Sequence, residues 1–157
     1  MKINIVNITS IKVAALEHYG APDTLNHSVE TFRDWRKDSG CSPVATKRTF
    51  GVAQSDPEAK PAQTFHFDVC AEIEREVPEN DYGVITKTIA GGRYARMRHK
   101  GSHDTLNEKV NSLFRNWLPA SDEGKGDGPV FFEYINITVD VPESELQTDI
   151  YVPLKAR

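Results

Sequence analysis

The sequence predicts an α+β fold made from one β-α-β-β unit used twice, with pseudo-two-fold symmetry between the copies. The first observation behind this is an internal repeat. Residues 14–29 align without gaps on residues 95–110, at an offset of 81. Eight of these sixteen positions are identical: Ala14/Ala95, His18/His99, Gly20/Gly101, Asp23/Asp104, Thr24/Thr105, Leu25/Leu106, Asn26/Asn107 and Val29/Val110. The same offset pairs Phe50 with Phe131 and Asp68 with Asp149, and sets Val69-Cys70-Ala71 over Ile150-Tyr151-Val152. The second observation is that both copies run through the same order of hydrophobic patterns. A repeat of this length is too long for a solenoid array and reads as two half-domains sharing a core. Symmetric halves leave a groove where they meet, and that groove is the first place to look for a ligand.

Each element follows from local chemistry. Lys2–Ile8 is a candidate leading strand. Ile11–Tyr19 is β-branched and apolar and closes at Gly20, which predicts a strand. Pro22 and Asp23 open a helix, since proline suits the first helical position and a carboxylate suits the positive end of the helix dipole. Leu25, Val29 and Phe32 fall at i, i+4 and i+7, an apolar stripe on a helix running to about Lys37 and ended by Asp38-Ser39-Gly40. Strands follow near Lys47–Ala53 and Thr64–Ile73, separated by a polar, proline-bearing turn from Gln54 to Gln63. The second copy repeats the order. A strand spans Gly83–Arg98, Ser102 is the expected N-cap, and Leu106, Val110, Leu113 and Trp117 share one helix face. A Gly-rich acidic loop from Ser121 to Gly128 leads to strands at Val130–Thr138 and Thr148–Leu154. The chain reads as a single domain, 1–157, with half-repeats at about 11–73 and 92–154 and a linker at about 75–83.

Composition excludes several function classes. The net charge is −4 and no stretch concentrates Lys or Arg, which argues against a nucleic-acid surface. Arg93, Arg96, Arg98 and Lys100 form the densest basic run, but they alternate along an expected strand and read as a solvated face. No apolar stretch reaches membrane-spanning length, and the N-terminus lacks a signal-peptide core. Cys41 and Cys70 match no metal or redox spacing, so two free thiols in a reducing cytoplasm are expected. No Gly-x-Ser-x-Gly, phosphate-cradling loop or His-Glu-x-x-His occurs. His18 and His99, each two residues before a glycine, read as a shared structural device at the strand–helix turn. His66 and His103 have no companions at characteristic spacing, and neither a metal nor a cofactor is expected.

Four segments carry a family resemblance: His18-Tyr19-Gly20; Gly91-Gly92-Arg93-Tyr94-Ala95 through His99-Lys100-Gly101; Phe132-Glu133-Tyr134-Ile135-Asn136; and Asp149-Ile150-Tyr151-Val152-Pro153. Together they resemble the GyrI-like domain, and the resemblance runs from about Ile3 to Leu154. This small-molecule module forms the effector-binding part of some AraC- and MerR-type transcription regulators and also occurs alone, as in the DNA gyrase inhibitory protein. The resemblance implies an antiparallel sheet with helices on one face and a concave pocket on the other. It also implies binding of lipophilic, often cationic compounds through aromatics and one glutamate. That glutamate matches Glu133, and the tyrosine beside it matches Tyr134.

The residues themselves support Glu133 independently. Strand alternation puts Phe131, Glu133 and Ile135 on one face and Phe132 and Tyr134 on the other. The repeat partner of Glu133 is Val52, so this charge breaks the repeat, as an anchor needed only once would do. A carboxylate among aromatics is expensive when unpaired and attracts a cation or a proton. The competing reading is an ordinary polar residue on a solvated strand. A cation over aromatic faces gains about 0.5–2 kcal/mol per ring. Alternation sets Tyr151 and Asp149 opposite Ile150, Val152 and Leu154, which puts Tyr151 in the groove. Tyr94 and Phe50, the partner of Phe131, join the ligand-binding set. Trp35, one position out of register, is placed at the groove rim, whereas Trp117 continues its helix stripe into the core.

The expected function is a stand-alone GyrI-like binding domain for a lipophilic, cationic or amphipathic small molecule, serving as a sequestrant or as the effector half of a regulator. No helix-turn-helix fits before residue 11, so a DNA-binding partner is expected to be separate. Two alternatives stand beside this. One is a hydrolase of electrophilic small molecules, with Glu133 as base and Tyr151 or Tyr94 as acid. The other is a protein-binding inhibitor of DNA gyrase.

Overall fold

A computed structural model of the chain describes residues 2–55, 65–137 and 141–156. The expected turn from Gln54 to Gln63, the start of a strand at Thr64 and the end of one at Thr138 fall wholly or partly outside these residues. The described elements are β1 (Ile3–Ile8), β2 (Ile11–Tyr19), α1 (Leu25–Ser39), β3 (Thr49–Ala53), β4 (His66–Glu72), β5 (Ile85–Ile89), β6 (Gly92–Lys100), α2 (Leu106–Ser112), α3 (Leu118–Ala120), β7 (Val130–Tyr134) and β8 (Gln147–Pro153). The architecture is α+β with antiparallel strand pairing throughout.

The chain divides into two compact units: a first unit of Ser10–Ala90 and a second unit of Met1–Thr9 with Gly91–Arg157. The first unit orders its strands β5-β2-β4-β3, and the second β1-β6-β8-β7. The two orders correspond element by element at the 81-residue offset. β1 stands in the second unit where β5 stands in the first, and the registers agree: Val6 faces Tyr94 as Lys87 faces Val13. The expected leading strand therefore exists, but it pairs with β6 and not with the strand next in the chain.

The expected single strand Gly83–Arg98 is instead two strands, β5 and β6, and they belong to different units. The break falls at Ala90-Gly91, and the next residue, Gly92, has φ +136°, a backbone setting that residues with a Cβ rarely adopt. The Gly-Gly pair was the available signal for it. The linker at 75–83 is likewise folded onto the first unit. Val77 and Tyr82 pack against its core, and the Asn80 carboxamide accepts from the backbone N–H groups of Tyr82 and Val84.

In the first unit, a 3-10 turn at Pro22–Thr24 leads into α1, and Gly40 ends the helix in the left-handed region at φ +66°, its N–H donating to the carbonyl of Arg36. The stripe Leu25, Val29, Phe32 packs against Ala14, Val69 and Ala71 on the sheet. Trp35, expected at a groove rim, belongs to this core. It is 2% exposed, with its ring 5.5 Å from that of Phe32. The reason is helix geometry: Phe32 and Trp35 are three apart and share a face, so Trp35 extends the stripe and does not leave it. Burying side chains of this size stabilises the unit by about 1.5–3 kcal/mol each. The buried Arg36 guanidinium ties α1 to the segment leading into β3, donating to the carbonyl of Ser42, to Thr49 Oγ1 and to the carbonyl of Lys47.

In the second unit Ser102 is the N-cap, accepting from Asp104 N–H at 3.1 Å, and a 3-10 turn at His103–Thr105 precedes α2. Leu106 and Leu113 are buried, as the stripe predicts. A π-helical turn at Leu113–Trp117 then interrupts the register. Its extra residue per turn rotates the end of the helix, so Trp117 is half-buried and not fully in the core. The repeated histidines do the structural work expected of them. His18 Nε2 donates to the carbonyl of Ala21 at 3.2 Å, and His99 Nε2 donates to that of Ser102, its repeat equivalent, at 3.1 Å. Each closes its turn between a strand, a positive-φ glycine (Gly20 or Gly101) and a helix.

Candidate functional site

The two faces of the second unit's sheet can be assigned from contacts. His99 bonds the turn that opens the helix, and the Tyr134 ring lies 5.0 Å from that of His103 in the same turn. Those residues mark the helix side. Direct strand partners share a face, so Phe131 opposite Tyr151, Arg96 opposite Tyr151, and Glu133 and Arg98 both opposite Asp149 lie on the other side. Four of the expected ligand residues, Tyr94, Phe131, Glu133 and Tyr151, therefore share one sheet face. Tyr134, the tyrosine beside the matched glutamate, faces the helix side instead.

On that face the aromatics form one cluster. Phe131 and Tyr151 stack with centroids 4.4 Å apart and planes 7° apart, and Tyr94 meets Phe131 at 5.2 Å and 80° and Tyr151 at 6.0 Å and 83°. Stacked and edge-on pairs at such spacing add about 0.5–1.5 kcal/mol beyond the area they bury. All three rings are buried. Burial holds the Tyr94 hydroxyl above the usual tyrosine range, so it stays neutral. Burial also raises Tyr151, with Glu133 and Asp149 adding to the shift and a hydrogen bond from Arg96 opposing it.

One step along the strands the aromatic row gives way to a charged one. Arg98 donates to Asp149 through Nε at 2.8 Å and Nη2 at 3.1 Å, a bidentate pair whose carboxylate is 7% exposed. The bond to Asp149 is the main reason that the Arg98 guanidinium is held above its ordinary range, and the charge on Glu133 contributes. Glu133, half-buried, is the direct cross-strand neighbour of Asp149. The second unit thus presents an aromatic floor bordered by two carboxylates and one fixed guanidinium.

The first unit's corresponding face carries different chemistry. Phe50 sits opposite Cys70, is wholly buried, and has the Arg48 guanidinium 4.8 Å from its ring centroid. Where the second unit has Tyr94 and Tyr151, this face has Val13 and Cys70. A polar cluster missed in the sequence lies beside them. His66 Nε2 is 3.0 Å from Asp68 Oδ1 and 3.8 Å from Glu17 Oε2, and Lys87 Nζ donates to Asp68 Oδ2 at 2.7 Å and to Glu17 Oε2 at 3.0 Å. His66 does have carboxylate companions: Asp68 two residues on along β4, and Glu17 from the paired strand. The i, i+2 spacing on a strand was the available signal. Both thiols are free, with Cys41 exposed and Cys70 buried. Among the described residues no helix is long and apolar enough to cross a membrane.

Comparison with known proteins adds to this geometry. A family model described as the GyrI-like small molecule binding domain matches residues 1–155. The chain is 44% identical over 154 residues to a protein of Escherichia coli (strain K12) named probable transcriptional regulator YgiV, covering 98% of this chain and 96% of that one. Its fold is that of the EcmrR C-terminal domain, with TM-score 0.77 at 15% identity over 99% of this chain and 98% of that one. It also resembles SAV2435, solved bound to tetraphenylphosphonium, with TM-score 0.63 at 13% identity over 99% and 94% of the two chains. The chain belongs to the GyrI-like small-molecule-binding family.

Proposed function

We propose that this GyrI-like domain binds a lipophilic cation on the helix-free face of its second unit, with Phe131, Tyr151 and Tyr94 as the apolar floor and Glu133 as the charge anchor. The observation that carries this reading is the stacked Phe131–Tyr151 pair set one step along the sheet from the Glu133–Asp149–Arg98 row. Aromatic faces attract cations through their quadrupoles, and the nearby carboxylate adds a charge-assisted contact. Glu133 breaks the repeat by adding a charge where the first unit has Val52. The tetraphenylphosphonium bound by SAV2435 is a cation of this class, and the name of the YgiV relative supports a role in sensing an effector for transcriptional control. A separate DNA-binding partner would complete that role.

The test is calorimetric titration with tetraphenylphosphonium and with neutral triphenylphosphine oxide. Glu133→Gln should weaken the cation by about 1.5–3 kcal/mol and leave the neutral compound nearly unchanged. The empty variant should be as stable as the wild type or more so, because a partly desolvated charge is removed while shape is kept. Equal weakening of both compounds would remove Glu133 from the site. Mass spectrometry of an added electrophile separates binding from turnover: Glu133-dependent loss of the parent compound would favour a hydrolase, with a protonated Tyr151 or Tyr94 as its acid.

A further inference from the structure

We propose that Glu17, His66 and Asp68 form a divalent transition-metal site of the zinc or nickel class on the first unit, one that a metal enters by displacing the Lys87 ammonium. Their spacing suits such an ion. One ligand atom from each of Glu17, His66 and Asp68 lies within 4.8 Å of the other two. A tetrahedral ion with ligands about 2.1 Å away separates them by about 3.4 Å. The measured His66–Asp68 and His66–Glu17 distances, 3.0 and 3.8 Å, bracket that value.

Lys87 shows independently that the cluster accepts a cation. Its Nζ touches both carboxylates, so their lone pairs already converge on a point that holds a positive charge. One ammonium offsets only one of the two carboxylate charges, whereas a dication in its place offsets both. Lys87 arrives from β5 on a long, flexible stem, so its head can leave by a rotamer change that moves no backbone. The ligands, by contrast, are held. Gln54 Nε2 donates to Asp68 Oδ2 at 2.9 Å, the Tyr19 ring stacks on His66 at 4.2 Å, and Glu17 and Asp68 are direct cross-strand partners. Such outer contacts orient metal ligands.

The fold does not require this arrangement. At the equivalent positions of the second unit stand Arg98, Asp149 and Gln147, with one carboxylate, one guanidinium and no imidazole. An imidazole with two carboxylates selects zinc, nickel or cobalt over magnesium, which prefers oxygen ligands alone.

Calorimetric titration of the intact chain with zinc chloride, with magnesium chloride as control, tests the site. The wild type should take up one zinc per chain and release no heat with magnesium. His66→Ala should weaken zinc by about tenfold or more. Lys87→Met should strengthen it by about tenfold or more, because the resident cation is gone. Proton NMR of the wild type keeps the test independent of any variant's folding: the His66 imidazole resonances should move on zinc addition while those of His18 stay in place. Absence of zinc uptake by the wild type, uptake unchanged in His66→Ala, uptake no tighter in Lys87→Met, or unmoved His66 resonances would each overturn the proposal.

Discussion

Along β2 and β6 the helix-side positions read Ala14/Ala95, Leu16/Met97 and His18/His99, whereas the opposite positions read Val13/Tyr94, Ala15/Arg96, Glu17/Arg98 and Tyr19/Lys100. On β4 and β8 the division is weaker, because the helix-side pair Phe67/Thr148 differs as well. Val69/Ile150 and Ala71/Val152 stay apolar toward the helix, while Cys70/Tyr151 and His66/Gln147 differ on the other side. Two side chains facing away from the helices are kept, Phe50/Phe131 and Asp68/Asp149. The helix-side positions of β2 and β6 are alike because each strand feeds the same turn and helix, whereas those of β3 and β7 differ, with Gly51/Phe132 and Ala53/Tyr134. The opposite faces are buried too, through Val13, Phe50 and Cys70 in the first unit and Tyr94, Phe131 and Tyr151 in the second, but they carry separate chemistry: aromatic in the second unit, histidine and carboxylate in the first.

The retained aspartates show how far the divergence goes. Asp149 takes its cation from β6, as Arg98. Asp68 cannot do the same, because the equivalent position is Glu17, and it takes Lys87 from β5. Asp149 rests on the Arg98 fork, whereas Asp68 also contacts Gln54 and His66. Removing the cation should therefore have unequal effects. Arg98→Met should destabilise by about 3 kcal/mol, as expected for a buried carboxylate left without its partner. Lys87→Met should destabilise by about 1–2 kcal/mol, since two other groups still reach Asp68. Urea denaturation of both variants measures the pair, and equal losses would break the comparison.

The buried tyrosines of the second unit give a smaller effect. Tyr94 and Tyr151 are held above the usual tyrosine range, so the folded state binds their protons more tightly than the unfolded state does. Their contribution is complete below about pH 10 and lost as the pH rises through the folded values. Thermal melts should show stability falling above about pH 10, and Tyr151→Phe should flatten part of that fall. A fall of unchanged slope in the variant would mean that Tyr151 is not the group being titrated. The smallest expected change is on the helix side. Thr148, the repeat partner of Phe67, is wholly buried, and its hydroxyl has no hydrogen-bond partner among the described residues. Thr148→Val should raise stability by about 1 kcal/mol, because an unpaired polar group is replaced by an isosteric apolar one. A loss of stability would show that the hydroxyl is satisfied.

Much of the second unit's face is legible in the sequence. Phe131, Glu133 and Tyr151 follow from strand alternation, and Tyr94 from its place in the family pattern. Trp35 escapes the pattern because one residue out of an i, i+4, i+7 series can still share the face at i+3. The cluster of Glu17, His66, Asp68 and Lys87 is not legible, because its members are joined by strand pairing across up to 70 residues of sequence. Only the two-residue step from His66 to Asp68 is local.

The sequence by itself determined the repeated local chemistry: the histidine–glycine turn, the N-cap at Ser102, the helix stripes and the alternation that sorts each strand into two faces. These are set by residues within a few positions of one another, where backbone geometry alone dictates which side chains meet. The tertiary structure decided which strand lies beside which. Ile3–Ile8 and Ile85–Ile89 carry no mark that sends the first to β6 and the second to β2. Pairing depends on hydrogen bonds between segments far apart in the chain, and those bonds are made by backbone groups common to nearly all residues.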